Sequence, residues 1–160
     1  MGVDLGLPAS FQRVEWFGRG PGESYRDMKL SQAVGLHAME GVGELWTAPE
    51  FPQECANRTE TRWLRIGEGG GKGDVGLTVQ FYEPGEVDKR HLFDFMACHY
   101  EVGDVFAAKH AFELEERKRE YVVLRLDAAH HGLGTGSCGP KTLEEHALKM
   151  GEFEFGLVLY

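Results

Sequence analysis

No apolar run in this 160-residue sequence approaches the length needed to span a bilayer. It does not open with a basic stretch followed by an apolar one, so it carries no expected secretory leader. Met1-Gly2 suggests N-myristoylation, but Gly6 stands where that motif wants Ser or Thr. Basic residues are scarce: 17 Lys and Arg against 26 Asp and Glu leave a net charge of −9. Without a basic cluster, neither nucleic acid nor an anionic membrane surface is an expected partner. Cysteine is limited to Cys55, Cys98 and Cys138. An odd number at wide spacing makes no disulfide framework and points to reduced thiols in a cytoplasmic protein. Zinc-type spacings, C-x-x-C and H-E-x-x-H, do not occur. The adjacent His130 and His131 would project to opposite sides of an extended backbone, which suits no single metal. Without a leader, Asn57-Arg58-Thr59 matches the glycosylation pattern only by chance.

What is present is a globular composition, 42% hydrophobic and 27% charged, enough for one domain with a real core. Ten Phe, five Tyr and three Trp supply large buried areas, and 22 Gly favour a turn-rich β architecture. Strands are expected at Val14–Phe17, Thr61–Ile66, Gly76–Tyr82, Leu92–Cys98 and Tyr121–Leu126. A last one is expected at 153–160, with Phe153, Phe155, Leu157 and Leu159 on one face. Gly67–Asp74 marks a flexible tip between two strands, which makes a hairpin. Asp104 is expected to cap a short helix over Val105–His110, while Ser31–Leu45 carries no clear period. Strands at this spacing with only short helices imply an all-β antiparallel sandwich.

The segment from His130 to Pro140 holds four glycines, two histidines, Ser137 and Cys138. Such glycine density marks backbone at positive φ or in close approach to something else. Gly134-Thr135-Gly136-Ser137-Cys138-Gly139 fits G-x-G-x-x-G literally, with Glu154 near the place of a ribose-binding acid. A dinucleotide loop, however, leaves its strand at once, and here seven residues intervene between Leu126 and Gly134. A nucleophile elbow around Ser137 fails because Thr135 occupies the first glycine position. A phosphate loop at Lys72 fails because Ile66 and Gly73 replace the required Gly and Ser or Thr. The acidic pairs Glu115-Glu116 and Glu144-Glu145 have no spacing that selects a glycosidase pair, and solvated faces account for them.

Three segments together resemble the small-chain domain of family 2 β-galactosidases. Trp16-Phe17-Gly18-Arg19-Gly20-Pro21-Gly22-Glu23-Ser24-Tyr25-Arg26-Asp27 is similar to their tryptophan–glycine–proline–tyrosine–aspartate signature. Pro52-Gln53-Glu54 through Asn57-Arg58 to Arg62-Trp63 is similar to their proline–glutamine–glutamate segment. Gly132 to Pro140 is similar to their serine–cysteine–glycine–proline run, and all three appear in the family's order.

The resemblance implies an antiparallel β-supersandwich of the galactose-mutarotase type, its C-terminal portion. Residues 1–11 would be a lead-in and 12–160 the domain, with upstream strands absent and a companion chain or poor stability expected. It implies retaining hydrolysis of β-D-galactosides such as lactose, using two glutamates on a separate TIM-barrel domain or large chain. No residue here is then expected to be catalytic, and this chain alone would be inactive. Mg and Na are expected in those other domains, none in this chain, and the full enzyme is expected to be a homo-oligomer. The small domain would complete the galactoside pocket with Cys138 at the loop tip, flanked by Ser137 and Gly139. Many relatives carry tryptophan at that position, so stacking on the sugar would be replaced by a small polarizable contact. The competing functions are a stand-alone mutarotase-like carbohydrate-binding module and a purely structural interaction domain.

Overall fold

A computed structural model describes residues 1–69, 73–136 and 138–160. Among the described residues, ten strands form two antiparallel sheets. They are β1 (Gly2–Leu7), β2 (Arg13–Gly20), β3 (Ala33–Met39), β4 (Arg58–Thr61), β5 (Trp63–Gly67), β6 (Gly76–Glu83), β7 (Glu86–His91), β8 (Phe93–Cys98), β9 (Val122–Asp127) and β10 (Gly156–Leu159). The first sheet runs β1-β9-β8-β4 and the second β10-β6-β5-β2-β3, with β7 paired to β6.

Period-2 alternation builds the core between the sheets. Val14 and Trp16 on β2, Leu64 and Ile66 on β5, and Val79 and Phe81 on β6 face Phe93, Phe95 and Ala97 on β8 and Leu124 and Leu126 on β9. Phe81 stacks on Phe93 at 4.6 Å and on Phe155, the residue before β10, at 5.1 Å. This is the expected all-β sandwich.

Strand β8 is buried on both faces. Met96 and Cys98 alternate with the core residues and pack outward against Cys55, Tyr100, Ala108 and Leu114. Two short helices, α1 (Val102–Ala107) and α2 (Ala111–Glu115), help cover this outer face. A strand covered on both sides reads as a continuous apolar run, which is the pattern of Phe95–Cys98.

Several elements differ from the sequence-based expectation for local reasons. Within the expected lead-in, Gly2–Leu7 forms β1, paired to β9 with Leu5 opposite Leu124. Helix α1 starts earlier than expected, because Asp104 sits inside its first turn. There its carboxylate accepts the Glu101 N–H at 3.0 Å instead of capping from outside. The side-chain bonds from Arg119 at 2.7 and 2.8 Å hold that carboxyl below its ordinary range. The aperiodic 31–45 stretch yields edge strand β3 and a 3-10 turn at Val42–Leu45. Strand β10 begins only at Gly156, opposite Tyr82, because β6 ends one residue further on, at Glu83, before the Pro84-Gly85 turn. Phe155 and Leu157 pack inward, whereas Phe153 and Leu159 are 37% and 42% exposed.

Candidate functional site: a clamped glycine loop

The chain leaves β9 at Asp127 and reaches Gly132 through His130 and His131. The two rings find different partners. His130 lies against Tyr25, with ring centroids 5.7 Å apart, and its Nε2 is 3.8 Å from Glu54. His131 Nδ1 accepts the Leu148 N–H at 2.9 Å.

From Gly132 to Pro140 the backbone closes on itself. Thr135 N–H and its hydroxyl both donate to the Pro140 carbonyl, at 3.0 and 3.1 Å. The Thr135 carbonyl in turn accepts Cys138 N–H at 3.0 Å and Gly139 N–H at 2.6 Å. The result is a narrow finger with Thr135 and Pro140 at its neck. Cys138 and Gly139 lie in its turn and both are exposed. Ser137 lies outside the described residues.

Two glycines at the foot of the finger are required by geometry. A Cβ on Gly132 would meet Asp27 Oδ2 at 2.7 Å and His146 Cβ at 3.0 Å. Gly134 has φ +65°, and a Cβ there would meet Thr142 N at 2.5 Å. The finger rests on Asp27, whose carboxylate accepts Leu133 N–H at 3.0 Å and Gly134 N–H at 2.7 Å. Partial burial pushes the Asp27 carboxyl up, but the Gly134 and Leu133 amides outweigh it and hold it below the ordinary carboxylate range. Thr142 Oγ1 donates to the Gly132 carbonyl at 2.9 Å, and Gly132 N–H donates to that of His146 at 3.0 Å. A cleft of about 340 Å³ lies at the foot of the finger, between Asp27, Leu133, Lys141 and His146.

The three sequence motifs meet here. Ser24 N–H donates to Asn57 O at 2.8 Å, Asn57 Nδ2 to Ser24 O at 2.9 Å, and Ala56 N–H to Glu23 Oε2 at 2.9 Å. Arg58 is 2% exposed; its Nε donates to Pro21 O at 2.9 Å and its Nη1 to Ala56 O at 2.8 Å. Burial lowers its pKa to about 10, and Glu23 opposes that fall. The first and second motifs thus zip together, and the first presents Asp27 to the third. The Asn57 amide is consumed in this seam, so the glycosylation pattern has no free acceptor.

Sequence reasoning quoted Asp27, Glu54 and Arg58 within motifs without giving them these roles. No period in the sequence marks a carboxylate that binds amides more than a hundred residues away.

The discarded chemistries also fail on geometry. Thr135, Cys138 and Gly139 spend their N–H groups inside the finger, so those donors are not offered to a phosphate. After Pro140 comes a 3-10 turn at Glu144–His146, not a dinucleotide-type helix. Burial pushes the Cys55 thiol up to about 12 and the Cys98 thiol up to about 11, which makes both inert. Among the described residues, no three His, Cys, Asp or Glu side chains group to hold a metal ion. A larger groove, about 460 Å³, opens on the outer face of the first sheet between Trp46, Phe51, Tyr100 and Phe106. Among the described residues, no helix is long and apolar enough to cross a membrane.

Comparison with known proteins decides the lineage. The family model described as beta galactosidase small chain matches residues 1–159. The chain belongs to the β-galactosidase small-chain family. It is 38% identical over 157 residues to a β-galactosidase of Kluyveromyces lactis, covering 97% of this chain and 14% of that protein. An Arthrobacter β-galactosidase is 34% identical over 149 residues, with 93% and 14% covered. One from Staphylococcus xylosus is 29% identical over 161 residues, with 99% and 14% covered. The chain therefore spans about one seventh of the length of these relatives.

Proposed function

We propose that this chain is the pocket-completing domain of a β-galactosidase that hydrolyses terminal β-D-galactosides such as lactose with retention. The observation that carries this reading is the clamped finger. The Thr135, Cys138 and Gly139 amides are satisfied within it, Asp27 holds the Leu133 and Gly134 amides below its neck, and Cys138 and Gly139 in its turn are exposed. A rigid projection of that kind suits contact with a ligand held mainly elsewhere, since a preformed contact loses little ordering entropy on binding.

In this reading the two catalytic glutamates and the Mg and Na ions belong to a TIM-barrel domain or large chain, and no step runs through a metal held here. Cys138 contributes a small polarizable contact to the sugar, and Gly139 lets the turn approach it. Ser137 takes the same flanking role by resemblance to the family. The complete enzyme is cytoplasmic and homo-oligomeric.

The test is steady-state kinetics on the β-galactosidase that contains this domain. Cys138→Ala should raise KM for lactose several-fold while kcat stays within about twofold, the signature of lost binding that is equal in ground and transition states. Equal KM values in wild type and variant would remove the pocket role. Galactoside hydrolysis by the isolated 160-residue chain would place the chemistry here and overturn the reading.

A further inference from the structure

We infer that Asp27 is a positioning residue for the sugar contact: its carboxylate sets the one conformation in which the glycine finger presents Cys138. This rests on the pocket-completing reading above and adds a residue that does not itself touch substrate.

Four observations converge on Asp27. Each of its oxygens takes a different amide of the finger's rising arm, Leu133 on Oδ1 and Gly134 on Oδ2. Amides donating to an ionised carboxylate make the stronger class of hydrogen bond. The fit is also steric, because Gly132 leaves room for that carboxylate where any Cβ would collide with it. The Gly134 conformation, at φ +65°, is fixed by its own N–H on Asp27 and by close approach to Thr142. Finally, Asp27 stands on a rigid base. Tyr25 is fully buried, and Tyr25 and Met28 exchange two backbone hydrogen bonds of 2.9 Å across Asp27.

The remaining anchors, Thr142 on Gly132 and Gly132 on His146, hold only the root of the finger. Asp27 grips the two residues between that root and the neck at Thr135. Without it, the direction of the finger would be set by exposed backbone alone. The finger would then sample several directions, and apparent affinity would fall in proportion to the competent fraction.

The experiment is a double-mutant cycle in the β-galactosidase containing this domain, with Asp27→Asn and Cys138→Ala singly and together. Asparagine keeps the shape but turns an N–H toward one of the two amides. Asp27→Asn should raise KM for lactose about tenfold with kcat within about twofold. In the Cys138→Ala background the same change should raise KM by a clearly smaller factor, because the contact it positions is already lost. Amide exchange of Leu133 and Gly134 should quicken by about tenfold or more in Asp27→Asn while strand amides keep their protection. If Asp27→Asn folds poorly, Asp27→Glu, which keeps the charge but moves it by one methylene, serves the same cycle.

Fully independent KM effects, or an unchanged KM alongside deprotected amides, would overturn the positioning role and leave Asp27 a local clip. A KM insensitive to Cys138→Ala but raised by Asp27→Asn would sink the pocket-tip contact instead. The two failures are thereby distinguishable.

Discussion

Two regions of this domain solve the same backbone problem in opposite ways. In the seam between residues 18–27 and 54–63, Ala56 and Glu60 hold φ values of +70° and +55°. L-residues avoid that region, at a cost of roughly 1 to 2 kcal/mol each. They adopt it because Glu23 and Arg58 hold the backbone at Ala56, and Arg19 and Lys29 hold the Glu60 carboxylate. In the finger, Gly134 takes φ +65° and glycine supplies the conformation directly. The seam imposes its shape by buried polar contacts, whereas the finger is permitted its shape by composition and then clipped by one carboxylate. A segment of the first kind stores stability, and one of the second kind can be retargeted by changing a residue at its turn.

The strongest way to break this contrast is to remove Arg58. Its guanidinium is buried over Trp16, 5.8 Å from the ring centroid, and no carboxylate pairs with it among the described residues. Backbone carbonyls of Pro21 and Ala56 carry its hydrogen bonds. Arg58→Ala strands both carbonyls and opens a cavity, so urea unfolding should show a loss of about 3 to 5 kcal/mol. Cys138→Ala, exposed at the turn, should change the same midpoint by less than about 0.5 kcal/mol. Comparable losses in the two variants would erase the distinction between seam and finger.

A second comparison sets Asp94 on β8 against Asp27. Burial lifts the Asp94 carboxyl to about 6 from 3.8, against the pull of His130, and Asp127 stands directly across the ladder. The folded state therefore holds the Asp94 proton more tightly than the unfolded chain does. Its contribution is favourable below about pH 4 and is lost as pH rises through about 6, where ionising it costs about 2 to 3 kcal/mol. Asp27 behaves oppositely, because its pKa is lowered. Its contribution is present above the ordinary carboxylate range and is lost as pH falls below it. Urea midpoints from pH 4 to 7 should fall less steeply, or rise more, in Asp94→Asn than in wild type, and the variant should be more stable at pH 7. Parallel pH profiles for the two proteins would show that Asp94 stays ionised on both sides of folding.

The sequence revealed the strands well where one physical signal governed them. Alternation marked Leu77, Val79 and Phe81, and β-branched density marked Val122–Leu126, because half-buried and fully buried strands each leave a direct pattern. It revealed the loop by its glycines, and the motif resemblance placed Cys138 in the turn. It did not reveal Asp27 or the pairing of Ser24 with Asn57. Those contacts join residues tens to a hundred positions apart, and nothing periodic encodes a partner across such a gap. Edge strand β3 was hidden for another reason. With Leu36 73% exposed, it has no buried alternation to read.

The finest test lies inside the finger, where two glycines two residues apart should differ. A Cβ at Gly134 meets backbone at 2.5 Å in a left-handed conformation, while at Gly136 nothing lies within 4 Å. Gly134→Ala should therefore destabilise by about 1 to 2 kcal/mol, unless the finger escapes by releasing Asp27. In that event global stability changes little and the Leu133 amide loses its exchange protection instead. Gly136→Ala should do neither, and by narrowing the unfolded ensemble it should leave stability level or slightly raised. Amide exchange and urea midpoints measured on the same two variants separate these routes. If Gly136→Ala proved the more damaging, the finger would be held by contacts at its tip rather than by the carboxylate below its neck.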